Sequence, residues 1–122
     1  MSRPGDPGRR LEWVEGPVEA IVTKAVELVG TVPGAKSFEL AYDAVDRELA
    51  EDEEPAPDEA VRWTASAELR RKYGKGRPIT RTVTGTAIAE PNGHHGEAIV
   101  RAVVELLEKL GANVVLMFGG PE

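Results

Sequence analysis

The chain has 122 residues, no cysteine and a formal net charge of -6, and 41% of its residues are hydrophobic. These values are typical of one small globular domain, and the lack of cysteine excludes disulfide bridges, thiolate metal sites and a cysteine nucleophile. It also favours a reducing, cytoplasmic location. No run of residues approaches the ~18 apolar positions of a membrane span, so a membrane partner is not expected. The acidic balance argues against nucleic acid covering the whole surface.

Three segments have the composition of disordered or loop regions. Residues 1–10 are rich in Arg, Pro and Gly and predict a disordered tail, which leaves a single domain over 11–122. Residues 51–59 combine six acidic side chains with two prolines and predict a solvated loop. Residues 91–96 contain Pro, Asn and Gly and predict a turn before a helix.

Two segments have apolar residues at helical spacing. Ser37 is a candidate N-cap for a helix over 37–50, and a second helix over 97–110 ends at Gly111. The run 114–118 that follows is apolar throughout and predicts a buried strand. In the predicted helix over 37–50, the apolar positions at helical spacing are Phe38, Ala41, Val45 and Leu49.

A hairpin is predicted in the middle of the chain. Residues 62–69 and 79–89 are rich in Thr, Val and small residues, and the basic segment 70–78 joins them. We expect two antiparallel strands, with four threonines on one face that either bond across strands or line a polar cavity. These are Thr80, Thr82, Thr84 and Thr86.

Residues 18–29 fit two patterns. As a helix, the segment places six apolar residues on one face, with Pro17 at its start and Gly30 at its end. As a strand, it has one face interrupted by Lys24. Both alternatives stay open. The fold class predicted overall is α+β, with a small antiparallel sheet packed against the long C-terminal helix and a shorter helix, and with 114–118 completing the sheet.

The chain resembles the dodecins, a family of small flavin-binding proteins, over residues 20–90. Three runs carry this resemblance, and they are Glu27-Leu28-Val29-Gly30-Thr31, Ser37-Phe38-Glu39-Leu40-Ala41 and Val61-Arg62-Trp63. The resemblance implies a β-α-β-β order in which 18–29 is extended and 37–50 is helical. It also implies a non-catalytic, closed homo-oligomer that stores a flavin, such as riboflavin, FMN or FAD.

The same resemblance implies a set of flavin contacts. Trp63 would stack on the isoalloxazine ring, and Arg81 or Thr82 would stand where the family has a glutamine at the polar edge of the ring. An arginine donates hydrogen bonds but accepts none, so it does not reproduce a two-way amide contact. Without the resemblance, Trp63 is expected to pack under the long helix or at a subunit contact.

The two charged loops support a different hypothesis. The basic turn places five cations around two glycines and predicts contacts with phosphates or with nucleic acid. The alternative is a solvated turn balanced by the acidic loop 51–59, in the same molecule or on a neighbour. A small interaction domain for a protein or nucleic-acid partner is therefore the second hypothesis, and a sensor of a phosphate-bearing ligand is the third. The five cations are Arg70, Arg71, Lys72, Lys75 and Arg77.

Catalytic and metal sites are not predicted. His94 and His95 lie in a glycine-rich turn without cysteine neighbours, and we expect them at the start of the helix over 97–110 rather than on a metal. No nucleophile is paired with a base in any familiar catalytic motif, so an enzyme is not expected.

Overall fold

The computed structural model describes residues 10–119, and its elements are α+β as expected. The described part holds five strands and two helices, in the order β1 (Arg10–Val14), α1 (Val18–Val29), β2 (Ala35–Ala44), β3 (Val61–Lys72), β4 (Pro78–Ala89), α2 (His95–Leu110) and β5 (Val114–Phe118). Most of the predicted tail, residues 1–9, lies outside the described residues. Arg10, which was assigned to that tail, is the first residue of β1. Neither helix in the described part is long and apolar enough to cross a membrane.

The predicted hairpin is confirmed as β3 and β4. The two strands pair antiparallel from Val61 opposite Ala89 to Lys72 opposite Pro78, and β2 adds to the other edge of β3 in the order β2-β3-β4. One face of β3 is buried because Val61, Ala65, Ala67 and Leu69 alternate with more exposed residues.

Helix α2 covers the buried face of this sheet. Its apolar stripe was predicted, and its end at Gly111 is confirmed by a left-handed backbone with φ of 83°. The helix packs tightly against the sheet at Gly85, where a Cβ would lie 2.3 Å from the carbonyl oxygen of Ala102 and 2.6 Å from the nitrogen of Leu106. Glycine is therefore needed at this position for the helix and the sheet to pack.

Helix α1 settles the ambiguous segment. Residues 18–29 are helical, so the strand alternative is wrong, and Ile21, Ala25, Leu28 and Val29 are buried on one face. The helical period brings all four together, whereas a strand would have placed Leu28 on the face opposite to Ile21, Ala25 and Val29.

The predicted helix over 37–50 is wrong. Strand β2 occupies Ala35–Ala44, and residues 45–60 connect it to β3. Phe38 and Leu40 have the two-residue spacing of a strand, whereas Phe38, Ala41 and Val45 have the spacings of three and four that predicted the helix. Pairing with β3 favoured the strand. Ser37, the candidate N-cap, lies at an irregularity in the pairing with a φ of 64°. The two segments that carry the dodecin resemblance near the N-terminus therefore have the opposite secondary structure to the one it implies.

Strand β5 is confirmed, but its predicted place in the antiparallel sheet is wrong. It pairs parallel with β1, from Arg10 opposite Val114 to Val14 opposite Phe118, and forms a separate two-stranded sheet. The strand β1 itself had not been predicted, because five residues without strict alternation give little sequence signal.

The core is almost entirely aliphatic. Side chains from both helices, both sheets and the loop between α1 and β2 meet in one cluster, and no polar or charged side chain of the described residues is buried in it. The largest fully buried members are Ile21, Leu28, Leu69, Ile99, Leu106, Leu107 and Leu110. Since the core uses no charged group, all candidate functional side chains lie at the surface.

Candidate functional site

The β3–β4 hairpin extends beyond the core and carries most of the local positive charge. Leu69 is the last buried residue of β3, and the three residues that follow it are exposed. The first residues of β4, Pro78–Arg81, are exposed as well. Up to Leu69 the sheet is covered by α2, and beyond it the two strands continue as an exposed ribbon that contacts the rest of the fold at its base, through Arg70 and Arg71. We call this ribbon, residues 70–81, the basic hairpin.

The cations of the basic hairpin have few partners inside the protein. Arg71 donates a hydrogen bond of 3.2 Å from Nη2 to the carbonyl oxygen of Leu110, at the C-terminal end of α2. No carboxylate of residues 10–119 lies within salt-bridge distance of the other cations of the hairpin. Those cations are Arg70, Lys72, Lys75, Arg77 and Arg81. Their charges are therefore available to a partner.

The base of the basic hairpin is held by the start of β2. The N–H of Arg70 donates to the carbonyl oxygen of Gly34 over 2.8 Å. Gly34 has a φ of 86°, and a Cβ there would lie 2.3 Å from the carbonyl oxygen of Arg70. Both the left-handed backbone and the close approach require glycine. This contact fixes the direction in which the ribbon leaves the sheet.

The acidic loop lies at the opposite end of β3. Residues 45–60 contain eight acidic side chains and one arginine, and the predicted loop 51–59 is confirmed within them. Val61 and Lys72, the two ends of β3, are separated by roughly 36 Å at about 3.3 Å per residue. The two charged loops therefore do not neutralise each other within one molecule, because the distance exceeds the screening length of ~8 Å at physiological salt.

Arg47 organises the acidic loop. Its guanidinium pairs with Glu53 over 2.9 Å and with both carboxylate oxygens of Glu59. The pKa of Glu59 is lowered by Arg47 and then by the N–H of Ala56. The pKa of Glu53 is lowered first by the N–H of Ala50 and then by Arg47. The carboxylates of Glu53 and Glu59 are therefore both paired with Arg47 within the loop.

An aromatic cleft opens beside Trp63, near the acidic loop. Tyr42 lies directly opposite Trp63 in the β2–β3 ladder, with ring centroids 5.1 Å apart and planes tilted by 56°. The ring of His95 stands at 80° to that of Trp63, and its Nδ1 accepts a 3.0 Å hydrogen bond from the indole Nε1. The cleft has a volume of about 440 Å³, and its remaining lining residues are Val18, Glu54, Pro55 and Val61.

The structure does not bring the three predicted flavin contacts together. Trp63 lies opposite Ala87, whereas Arg81 and Thr82 lie opposite Leu69 and Glu68, six and five residues further along the ladder. The four threonines of β4 are exposed, and two of them, Thr82 and Thr84, line an open pocket of about 370 Å³ together with Arg81, Val83 and Lys109. The expectation that Trp63 packs near the long helix agrees with its hydrogen bond to the first residue of α2.

Two members of the aromatic cleft were missed as site residues. Tyr42 was assigned to a helix, which removed it from the neighbourhood of Trp63. His94 and His95 do lie at the start of α2, as predicted, but the bond of His95 to Trp63 links residues 32 positions apart and has no local sequence signal. Within residues 10–119, no group of three potential metal ligands is present.

Comparisons with protein-family models, with curated proteins and with solved structures find no match to this chain. The candidate sites therefore have to be interpreted from their own geometry and charge.

Proposed function

We propose that the protein is a small nucleic-acid-binding domain whose basic hairpin contacts the phosphate backbone. The observation that carries this proposal is the basic hairpin, which is exposed beyond Leu69 and whose cations have no carboxylate partner among the described residues. Burying such a charge density against a neutral surface is unfavourable, whereas neutralising phosphates releases condensed counterions and is favourable.

The shape of the basic hairpin favours nucleic acid over an acidic protein. A two-stranded ribbon fits the major groove of a duplex, and arginine forks match phosphate oxygens. Tyr73, at the tip, is 51% exposed and stands among the cations. An exposed aromatic ring beside cations is typical of surfaces that stack on bases while they contact the backbone.

The net charge of -6 does not oppose this binding mode. The acidic residues of 45–60 lie at the far end of β3, several screening lengths from the basic hairpin. The protein is therefore strongly polarised, with its ends of opposite sign. We expect binding to involve the hairpin end alone and to leave the acidic end in solvent.

The test measures affinity as a function of salt. Labelled duplex DNA, duplex RNA and single-stranded DNA are titrated with the protein, and anisotropy is recorded at several salt concentrations. A plot of log K against log salt is expected to have a negative slope. In the Lys72→Gln, Lys75→Gln double variant the slope is expected to be less negative by about 2, one unit for each lost phosphate contact.

Arg62→Gln is the matched control, because Arg62 is also on β3 but lies at the other end and pairs with Asp43. It is expected to leave the slope unchanged. Equal slopes for the double variant and the unmodified protein, or no binding to any of the three nucleic acids at low salt, would overturn the proposal.

Flavin binding is a second candidate function. It is supported by a cleft of about 440 Å³ beside the half-buried ring of Trp63, a volume within the range of small-molecule sites, and by the run Val61-Arg62-Trp63, which lies on a strand as the resemblance to dodecins implies. A titration of riboflavin fluorescence tests it. Saturable quenching that disappears in Trp63→Ala supports a stacked flavin, and the absence of quenching removes this candidate.

A further inference from the structure

The aromatic cleft has the geometry of a site for a compact ligand. The planes of Tyr42 and Trp63 are tilted by 56°, and those of Trp63 and His95 by 80°. Rings at such angles form walls around a space rather than one flat platform. A rounded group can touch the faces of two or more rings at once, whereas a flat one can stack on only one of them.

The charge around the cleft is negative. Glu54 lines it, and no Lys or Arg is among its lining residues. In the described part Glu54 has no salt-bridge partner, whereas its neighbours Glu53 and Glu59 are both engaged by Arg47. The other acidic residues of 45–60 add to the negative potential at this end of the molecule. The cleft therefore favours a cation.

We propose that the aromatic cleft binds a methylated ammonium group, held by the rings of Tyr42 and Trp63 and by the carboxylate of Glu54. Aromatic faces attract cations, and quaternary ammonium groups are the ligands for which proteins most often build such rings into a site. A methylated ammonium also loses less hydration on burial than a primary one, which suits a lining of Val18, Pro55 and Val61. The group is carried either by a small ligand such as choline or by a methylated lysine side chain.

His95 acts as a positioning residue for this site. The indole N–H is only a donor, and Nδ1 of His95 is its acceptor at 3.0 Å. The bond fixes the rotation of the Trp63 ring. This site is separate from the basic hairpin, which lies at the other end of β3.

The test compares a cation with a neutral molecule of the same shape. Choline and its uncharged analogue 3,3-dimethylbutan-1-ol are titrated with the protein, and the methyl proton shifts of each are followed by NMR. Choline is expected to shift upfield, because its methyl groups enter the ring currents, and to bind at least about tenfold more tightly than the neutral analogue. Trp63→Ala and Tyr42→Leu are expected to abolish the shift, and Glu54→Gln to weaken choline without affecting the neutral analogue.

Tyr73→Leu is the control, since Tyr73 is also an exposed tyrosine, at 51% against 42% for Tyr42, and lies on the basic hairpin. Proton–nitrogen spectra of each variant establish that it is folded, so loss of binding is not loss of structure. A trimethyllysine peptide, compared with choline and with the unmethylated peptide, identifies the source of the group. Equal affinity for choline and the neutral analogue, no shift at millimolar choline, or riboflavin binding without a preference for ammonium would overturn the proposal.

Discussion

Trp63 on β3 donates its indole N–H to Nδ1 of His95, the first residue of α2, over 3.0 Å. The bond joins the sheet to the helix at the point where the aromatic cleft opens. Because the rings meet at 80°, the bond is directed at the ring edge of the imidazole and leaves the faces of the indole for other contacts. The position of Trp63 therefore depends on a residue that is remote in sequence.

Replacing His95 by alanine is expected to free the indole N–H to water. The emission of Trp63 should then move to longer wavelength, and the protein should lose about 0.5–1 kcal/mol of stability, the low end for a hydrogen bond because the pair is exposed. Fluorescence in a Trp13→Phe background and urea unfolding measure the two effects. His94→Ala, one residue away and without a side-chain cap, is the control. An unchanged emission maximum in His95→Ala would contradict the role given to the bond.

Gly85→Ala is expected to be strongly destabilising. The new Cβ would overlap the backbone of α2 at Ala102 and Leu106, and a helix backbone moves only with the whole packed helix. Overpacking of this kind costs about 1–3 kcal/mol. Gly76→Ala makes the same chemical change on the basic hairpin, where the nearest atom is the carbonyl oxygen of Tyr73 at 3.8 Å. Chemical unfolding should separate the two variants, and equal midpoints would show that α2 does not rest on Gly85.

Arg47→Met is expected to act unequally on its two carboxylate partners. The pKa of Glu59 owes its decrease mainly to Arg47, whereas that of Glu53 owes more to the N–H of Ala50. Glu59 should therefore return further toward its ordinary pKa. Carboxyl carbon shifts followed by NMR during an acid titration give both values, and Arg62→Met, which affects a pair with Asp43 instead, is the control. Equal changes at Glu53 and Glu59 would contradict this assignment of causes.

The lowered pKa values of Glu53 and Glu59 predict how the stability of the acidic loop depends on pH. Their pKa values are lower in the folded protein than in the unfolded chain, so their contribution to stability is complete above the ordinary pKa of glutamate and is lost as the pH falls through the folded values. We expect the protection factors of the amides in 45–60, which correct exchange rates for their intrinsic pH dependence, to fall below about pH 4, before those of the hairpin do. A simultaneous loss of protection at both ends of β3 would instead indicate global unfolding.

Elements with a single strong period could be predicted from the sequence, whereas elements with two competing periods could not. The stripe of α2 ends at a glycine, and β3 and β4 alternate around a basic turn, so pattern and structure agree. In the segment around β2, Phe38 and Leu40 fit the strand period while Phe38, Ala41 and Val45 fit the helical one, and only pairing with β3 decides between them. The basic hairpin could be predicted because its cations are close together in the sequence. The aromatic cleft could not be predicted, because Tyr42, Trp63 and His95 come from three different elements.

The parallel pairing of β1 with β5 makes the integrity of the fold depend on its two ends. Arg10 and Val114 stand at opposite ends of the described chain, and the entropy of closing so long a loop is recovered only after the elements between them have shortened the path. We therefore expect the pairing of β1 with β5 to form after the other elements. In a partly folded chain the backbone N–H and C=O groups of both strands are unpaired, and unpaired strand edges are sites at which protein chains aggregate.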